Sequence, residues 1–199
     1  AYDITQTDIL NNPDKNLLSW LNAEFQLFKV IETDRYSARI RTPFLSVGEL
    51  VEIANKVLNR RKSRAGKSLE NHLAEIFHQF NLSFETQVVT EGNKKPDFIF
   101  PSQEAYLNPE FDSDKLKVLA SKTTCKDRWR QVLNEADRIK TKHLFTLQQG
   151  ISSNQLEEML KYHVQLVVPS LYIKSFPEQY RPQIMTLGSF VNYIKGIQD

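Results

Sequence analysis

The chain has 199 residues, of which 40% are hydrophobic and 11% aromatic; this composition excludes a disordered or fibrous class and allows one substantial core. No apolar run is long enough for a membrane span and no signal-peptide pattern is visible, so we expect a cytoplasmic protein that does not associate with membranes. The formal net charge of +2 is too small to indicate a nucleic-acid partner by itself, and the single cysteine, Cys125, excludes an intramolecular disulfide or a cysteine-rich zinc site.

The first 80 residues are predicted to be helical. Apolar residues recur at helical spacing over 16–31, which predicts an amphipathic helix. Ser46 is a good N-cap for a second helix that runs through Leu58 into a basic cluster, and 68–80 predict a third helix. We expect one domain over 1–199, made of a helical N-terminal part (1–62) and a core (63–199). The absence of an initial methionine is consistent with a domain excised from a longer protein or with a processed product; we expect the former.

The second part of the chain alternates between strand and helix patterns. After Asn81 the apolar period changes to two, which predicts a strand over 84–89. The turn residues at 91–93 end this strand. Segment 102–114 is polar and is expected to be a loop. The remaining strands are predicted at 96–101, 115–123, 143–147 and 164–168, and the remaining helices at 127–140, 154–162 and 187–197. This alternation indicates a mixed α/β sheet with helices on its faces.

Lysines and arginines concentrate in two places. One cluster has five cations within eight residues: Arg60, Arg61, Lys62, Arg64 and Lys67. The other has four within nine: Lys122, Lys126, Arg128 and Arg130. Either cluster could neutralise DNA phosphates, and either could equally be the solvated end of a helix. Taken alone, the clusters leave both interpretations open.

Lys122 stands at the end of a predicted strand whose preceding positions on the same face are apolar. Leu116, Val118 and Ala120 occupy those positions, so the ammonium group should lie at the edge of the core, where burial favours its neutral form unless an anion is close. Asp97, which follows a turn and begins the preceding strand, is the obvious candidate. We therefore expect Asp97 and Lys122 to lie together.

A second carboxylate is expected on the predicted helix 127–140. Its buried stripe consists of apolar residues at helical spacing: Trp129, Val132, Leu133, Ala136 and Ile139. Arg128, Gln131 and Glu135 form a different stripe. Glu135 is therefore not expected to be a core residue, and one helix face could reach both a metal ion and DNA.

These residues resemble a known nuclease pattern. Pro96-Asp97 followed by Ala120-Ser121-Lys122 resembles the PD-(D/E)xK nuclease core, with Ala120 where that superfamily usually has an acid. The chain resembles the branch of restriction endonucleases in which this acid moves to the next helix, and over nearly all its length it resembles the C-terminal catalytic domains of the EcoRII family. The resemblance implies a restriction-endonuclease-like mixed β-sheet flanked by helices, with a helical N-terminal region, in a protein of the prokaryotic cytoplasm.

The resemblance also implies a magnesium-dependent active site. Asp97 and Glu135 would hold Mg²⁺, and Lys122 would orient the attacking water and stabilise charge on the scissile phosphate. Glu70 matches an acid on the early helix that completes such sites. Tyr106 belongs to the segment after Asp97 and is expected to approach the site.

DNA recognition is a further implication of the resemblance. Lys126, Asp127 and Arg128 match a base-reading segment in which arginine binds guanine O6 and N7 and an acid accepts from cytosine N4; Arg130 and Arg64 are also expected to contact DNA. The implied activity is that of a type II restriction endonuclease on a CCWGG target, leaving 5′ overhangs and flipping the central pair out of the duplex. A palindromic target implies a homodimer, and the family implies an N-terminal regulatory domain in the full-length protein.

Two alternatives remain open. One is a repair or RNA-processing nuclease with the same core and no fixed site; the other is a DNA-binding module whose catalytic centre is dead. The segment Lys126-Asp127-Arg128 argues against the first alternative. The presence of Asp97, Lys122 and Glu135 argues against the second.

Overall fold

The computed structural model describes the backbone of residues 6–199 and, within them, the side chains of all residues except 6–8 and Asp127. The helices are α1 (Gln6–Asn11), α2 (Pro13–Arg41), α3 (Val47–Gln79), α4 (Gln103–Leu107), α5 (Trp129–Val132), α6 (Ser153–Lys161) and α7 (Leu187–Gln198). The strands are β1 (Glu85–Thr86), β2 (Phe98–Phe100), β3 (Lys117–Lys122), β4 (Lys142–Thr146), β5 (Val164–Val168) and β6 (Met185–Thr186). None of the helices within 6–199 combines the length and the apolarity needed to cross a membrane.

The N-terminal helices are longer than the sequence patterns predicted. The first predicted helix extends from Pro13 to Arg41, and the second and third predicted helices are one continuous helix, α3. Ser46 caps α3 as expected, since its side chain accepts a hydrogen bond from the amide of Glu49. Gly66 lies within α3 without ending it, because a helix-interior glycine costs only about 1 kcal/mol relative to alanine.

A single mixed sheet forms the centre of the molecule, as predicted. Its order follows the chain, β1-β2-β3-β4-β5-β6. Strands β1, β2 and β3 pair antiparallel, whereas β3, β4, β5 and β6 pair parallel. Three parallel pairings require crossover connections, and the connections between β3 and β5 carry α5 and α6.

Helices cover both faces of this sheet. On one face Leu119, Phe145 and Val167 pack with buried residues of α3 and α7. On the other face Ala120, Leu144 and Leu166 pack with buried residues of α5 and α6. Successive residues of a strand point to opposite faces, so the almost continuously apolar strands β3, β4 and β5 serve two cores at once.

The region around the first two strands differs from its prediction. The strand predicted over 84–89 is reduced to Glu85–Thr86, because Gln87 adopts a left-handed backbone conformation with φ of 55° that a strand does not accommodate. Segment 102–114 is not simply a loop, since it contains α4 and a 3₁₀ turn over Ser113–Lys115.

The helix predicted over 127–140 is wrong for most of its length. A 3₁₀ turn over Lys126–Arg128 leads into α5, and the helix ends at Val132. Ala136 is left-handed, with φ of 51°, and the carbonyls of Ala136 and Ile139 accept hydrogen bonds from the side chain of Lys142. Their carbonyls are therefore satisfied without a helix, and Glu135 lies on irregular chain rather than on a helical face.

Candidate active site

Asp97 and Lys122 meet at one edge of the sheet. Asp97 directly precedes β2 and Lys122 is the last residue of β3; because the two strands are antiparallel, with Phe98 opposite Leu119, these two positions lie at the same end. The Nζ of Lys122 is 2.8 Å from Oδ2 of Asp97. The expected proximity of the two side chains is thus confirmed.

The carboxylate of Asp97 is buried and held through both of its oxygens. The residue is only 8% exposed. Besides Lys122, its Oδ2 accepts from the backbone amide of Ser121 at 2.7 Å and from the Ser121 hydroxyl at 3.4 Å. Its Oδ1 accepts from Nε2 of Gln87 at 3.2 Å. Charged and neutral donors together therefore stabilise this carboxylate in one orientation.

Glu135 is the second carboxylate at this edge. Burial raises the pKa of Glu135 to about 7, while the nearby charge of Lys122 opposes the rise and that of Asp97 adds to it. Its Oε2 is buried and has no hydrogen-bond partner among the described side chains and backbone. Glu135 is therefore within electrostatic reach of the Asp97–Lys122 pair and has an uncompensated carboxylate oxygen.

The chain after Glu135 is fixed by the side chains of Lys142, Arg138 and Glu91. The Nζ of Lys142 binds the carbonyls of Ala136 and Ile139. The guanidinium group of Arg138 donates to the carbonyl of Asn108 at 2.9 Å and also binds the carbonyl of Tyr106. The carboxylate of Glu91 accepts from the amide of Asp137 at 3.3 Å. The irregular segment that follows Glu135 is thus anchored directly after the candidate carboxylate.

Tyr106 has contacts other than those expected from the sequence. It lies in α4, is 1% exposed, and donates its hydroxyl proton to Glu91 at 2.5 Å. Burial raises the pKa of the Tyr106 hydroxyl, and the bond to Glu91 adds to the rise. The observed role of Tyr106 is therefore to support the segment that carries Glu135, and an approach to the reacting atoms stays a prediction.

Glu70 is placed on α3, where its carboxylate is 3.6 Å from Nζ of Lys67. It does not join Asp97 and Glu135 in a three-acid cluster, since the described side chains contain no group of three or more His, Cys, Asp or Glu arranged for a metal ion. Its participation in the site stays a prediction.

Asp97 and Glu135 fit a hard divalent cation. Such an ion takes oxygen ligands and commonly uses only one or two protein carboxylates, with water and phosphate oxygens completing its coordination. The orphaned Oε2 of Glu135 is the observation in favour, because a buried carboxylate oxygen without a partner is costly and a cation would compensate it. The residues present therefore suit a metal site with two protein ligands.

The segment predicted to contact DNA begins four residues after Lys122, at Lys126. Lys126 and Arg128 are exposed, and the amides of Cys125 and Lys126 donate to Oε1 of Gln148 at 3.0 Å and 3.1 Å. The side chain of Asp127 lies outside the described part of the chain. The backbone of 125–128 is thus positioned at the same sheet edge as the carboxylates, with two cationic side chains directed to solvent.

The other two predicted DNA contacts are engaged with acids of the chain. Arg130 forms an ion pair with Glu158 at 2.7 Å. Arg64 is 3.1 Å from Glu24, and its guanidinium group lies 4.6 Å from the ring centroid of Phe28. Either arginine would have to exchange or share its acidic partner to bind a phosphate.

Several residues of the site escaped the sequence interpretation. Gln87 and Ser121 bind Asp97, Lys142 supports the Glu135 segment, and Gln148 supports the segment 125–128. The only signal for Ser121 is its place in β3 directly before Lys122. The others have none, because their contacts depend on backbone turns that no periodicity predicts.

The fold and this edge site define a restriction-endonuclease-like protein. The metal-depleted Ecl18kI complex with uncleaved DNA superimposes with a TM-score of 0.77 and 19% identity, over 98% of this chain and 72% of that one. The complex of the restriction endonuclease PspGI with substrate DNA gives a TM-score of 0.73 and 18% identity, over 94% of this chain and 80% of that one. At these identities the likeness concerns the fold.

The sequence comparison gives the family. The chain matches the family described as EcoRII C terminal over residues 28–191, and it belongs to that family. It is also 52% identical over 187 residues to the type II restriction enzyme EcoRII of Escherichia coli, covering 94% of this chain and 46% of that protein. The chain therefore spans about half the length of this relative.

Proposed function

We propose that this chain is the catalytic domain of a Mg²⁺-dependent type II restriction endonuclease that hydrolyses duplex DNA at a CCWGG-type site. The observation that carries the proposal is the 2.8 Å contact between Lys122 and Asp97 beside the uncompensated carboxylate of Glu135. Membership of the EcoRII C-terminal family supports the same activity, since the relative from E. coli is a type II restriction enzyme.

The residues have distinct chemical tasks in this proposal. Asp97 and Glu135 would hold the cation, which when bound would lower the pKa of a water molecule and stabilise charge on the phosphate. Lys122, whose side chain is 21% exposed, keeps one Nζ proton on Asp97 and directs the others to the attacking water and a phosphate oxygen. Gln87 and Ser121 hold Asp97 in place while these charges develop. Such preorganised charge is worth more in a water-poor site than in solvent.

Sequence recognition is assigned to the exposed segment that follows β3. Arg128 would bind guanine O6 and N7, Asp127 would accept from cytosine N4, and Lys126 would add a further contact to a G·C pair. Arg64 and Arg130 would contribute phosphate contacts after exchanging their acidic partners. The central pair of the target would be flipped out of the duplex. The Ecl18kI and PspGI structures are complexes with DNA, which supports DNA as the substrate.

The assembly follows from the symmetry of such a target. A palindrome presents two identical half-sites, so we propose a homodimer with one active site per strand. The match covers only 46% of the E. coli relative; we therefore propose that a regulatory N-terminal portion accompanies this domain in the full-length protein. Sedimentation of the chain with a short CCWGG duplex would measure the predicted two chains per duplex.

A cleavage assay separates this function from its alternatives. A plasmid with one CCWGG site and an otherwise identical plasmid without it are incubated with the protein and Mg²⁺. Cutting of the first plasmid alone, at the site and with 5′ overhangs, supports the proposal. Degradation of both plasmids would indicate a nuclease without a fixed site, and retarded but uncut DNA would indicate a binding module; either result would overturn it.

Substitution of Lys122 tests the assignment of the active site. Lys122→Ala is expected to lower the single-turnover cleavage rate by at least roughly 100-fold, because the water and the phosphate lose their cationic partner. Binding of the CCWGG duplex without Mg²⁺ should be retained. Lys161→Ala, in an exposed lysine of α6, is the matched control and should cut normally. A Lys122→Ala protein that cleaves at the wild-type rate would contradict the assignment.

A further inference from the structure

One glutamine far along the chain determines how the DNA-contacting segment begins. Gln148 follows β4, and its Oε1 accepts the amides of Cys125 at 3.0 Å and Lys126 at 3.1 Å. These amides open the turn Lys126–Arg128 and the short helix α5. The first amides of a helical turn have no partner within the turn, so they need an acceptor from elsewhere.

Among the described side chains of the segment, that of Arg128 provides no cap for α5. Arg128, which occupies the N-cap position of α5, makes no side-chain capping bond, and Lys126 has a left-handed φ of 32°. Serine, threonine, aspartate or asparagine normally supplies this acceptor from the preceding residue. Here Gln148 supplies it from another loop, so the conformation of 125–128 depends on the connection between β4 and α6.

Gln148 is itself fixed in orientation. Its Nε2 donates to the carbonyl of Gly150 at 3.2 Å, which leaves only Oε1 to face the two amides. Its own amide donates to the hydroxyl of Thr146 at 3.1 Å, and Thr146 is fully buried at the end of β4. Thr146 also lies opposite Lys122 in the register of β3 and β4. Gln148 therefore joins the segment to the strand pair that carries the catalytic lysine.

We propose that Gln148 is a positioning residue for sequence discrimination: its carboxamide holds the segment 125–128 in the conformation that reads the base edges. The inference rests on the proposed function, because it gives that segment the task of base recognition. A bidentate arginine contact discriminates between bases only while its geometry is held. Without the carboxamide, the amides of Cys125 and Lys126 lose their acceptor, and the backbone from which the side chains of Lys126 and Arg128 project is no longer fixed.

The test compares three variants. Gln148→Leu removes the acceptor with a side chain of similar size, and Gln148→Glu keeps an acceptor for both amides. Gln149→Leu, in the exposed neighbouring glutamine, is the matched control. For each protein, kcat/KM is measured on a CCWGG duplex and on a duplex with one substituted G·C pair. Amide hydrogen exchange is measured in the peptide that covers 123–133, in the protein without DNA.

Gln148→Leu is expected to lower the ratio of the two kcat/KM values by about 10- to 100-fold and to accelerate exchange in 123–133. Gln148→Glu and Gln149→Leu should stay close to the wild type. In Gln148→Leu, faster exchange with an unchanged ratio of kcat/KM values would overturn the role of Gln148 in specificity. Unchanged exchange would overturn the claim that the Gln148 carboxamide holds the segment 125–128. If Gln148→Leu does not fold, Gln148→Glu provides the test. A ratio of its two kcat/KM values close to 1 would mean that it no longer distinguishes the two duplexes, and this would overturn the proposal. A wild-type protein that does not cleave preferentially at CCWGG would instead refute the proposed function. The exchange measurement would still show whether Gln148 holds the segment 125–128.

Discussion

At the scale of single residues, His143 is a buried titratable group that the proposed chemistry does not use. It belongs to β4 and is 2% exposed. Its ring lies between β3 and α7, with Nδ1 3.2 Å from the carbonyl of Val118. Its ring is 5.1 Å from that of Phe190 and 5.8 Å from that of Tyr193. Because a carbonyl only accepts, Nδ1 must carry the proton. Burial lowers the pKa of His143 to about 4, and the nearby charge of Lys117 adds to the decrease.

This histidine is expected to make the protein less stable in mild acid. In the unfolded chain it takes up a proton below its usual pKa of about 6.5, whereas in the folded protein it stays neutral down to a pKa of about 4. Its contribution is therefore fully present above the unfolded value and is lost as the pH falls from there towards 4. At pH 5 the free energy of unfolding should be lower by about 2 kcal/mol through this group alone.

Urea unfolding at pH 7.5 and pH 5 measures the effect. The difference between the two free energies of unfolding should be smaller by about 2 kcal/mol in His143→Gln than in the wild type, because glutamine can donate to Val118 but does not titrate. His78→Gln, in an exposed histidine of α3, should keep the wild-type difference. Equal differences in the wild type and His143→Gln would show that His143 is protonated equally in both states.

The pair Asp97–Lys122, to which we assign the proposed chemistry, illustrates what single residues reveal in a sequence. Asp97 and Lys122 are conspicuous because each is a charged residue at the end of an apolar strand, and adjacent strands bring such ends together. Gln87 gives no such signal. Its contact with Asp97 requires a left-handed φ of 55°, which the alternating pattern of 84–89 hides, so its role could only be recognised in three dimensions.

At the scale of elements, the segment after α5 shows that a burial pattern and a conformation are separable. Four of the five predicted positions, Trp129, Val132, Ala136 and Ile139, are buried as their helical spacing predicted, and Leu133 is half-buried. The helix nevertheless ends at Val132, and the chain places Ala136 and Ile139 into a different core cluster from Trp129 and Val132. Periodicity therefore identified the buried positions correctly but not the turns between them, which are determined by tertiary contacts.

The contacts of Lys142 are the tertiary contribution that matters for Glu135. Lys142 is 4% exposed, and its Nζ satisfies the carbonyls of Ala136 and Ile139. Lys142→Met keeps the length of the side chain but removes both bonds, so the segment that presents Glu135 should loosen. A displacement of about 1 Å in a catalytic group can cost roughly 100-fold in rate, and a loss of that order is expected in single-turnover cleavage.

Binding and rate must be measured together to interpret this variant. The affinity of Lys142→Met for the CCWGG duplex in the absence of Mg²⁺ should match the wild type, since its contacts lie in 136–139 rather than in the segment 125–128. Lys140→Met, in an exposed lysine two residues earlier, should leave rate and affinity unchanged. A parallel loss of rate and affinity in Lys142→Met would mean general misfolding rather than misplacement of Glu135.

At the scale of the whole molecule, the alternation of strands and helices was sufficient to predict the mixed sheet and its helical cover. The relation of the N-terminal helices to that sheet was not predictable. Helix α3 runs without interruption across residue 62, where the sequence suggested the end of a helical N-terminal part. Its C-terminal half contributes Leu69, Leu73 and Phe77 to the core, whereas much of its N-terminal half is exposed. Helix α3 therefore belongs both to the expected helical N-terminal part (1–62) and to the core (63–199).

A single buried carboxylate joins α2 to the opposite end of the chain. Asp14 is 4% exposed. Its Oδ1 accepts from the amides of Ser170 at 2.8 Å and Leu187 at 3.0 Å, and its Oδ2 accepts from Gly188 at 2.9 Å. Leu187 and Gly188 open α7, so the carboxylate satisfies free amides at a helix N-terminus, where the helix dipole also favours negative charge.

Removal of this carboxylate should destabilise the whole domain while leaving its chemistry intact. Hydrogen bonds to a charged group contribute about 1.5–3 kcal/mol each and unsatisfied buried donors are costly, so Asp14→Ala is expected to lower the free energy of urea unfolding by at least about 3 kcal/mol. Asp34→Ala, in an exposed aspartate of the same helix, should change it by less than about 0.5 kcal/mol. Below its unfolding midpoint, Asp14→Ala should still cleave the CCWGG plasmid at a rate close to the wild type, because Asp97 and Lys122 do not contact it. Equal stability of the two variants would mean that α2 and α7 are held together by their apolar contacts alone.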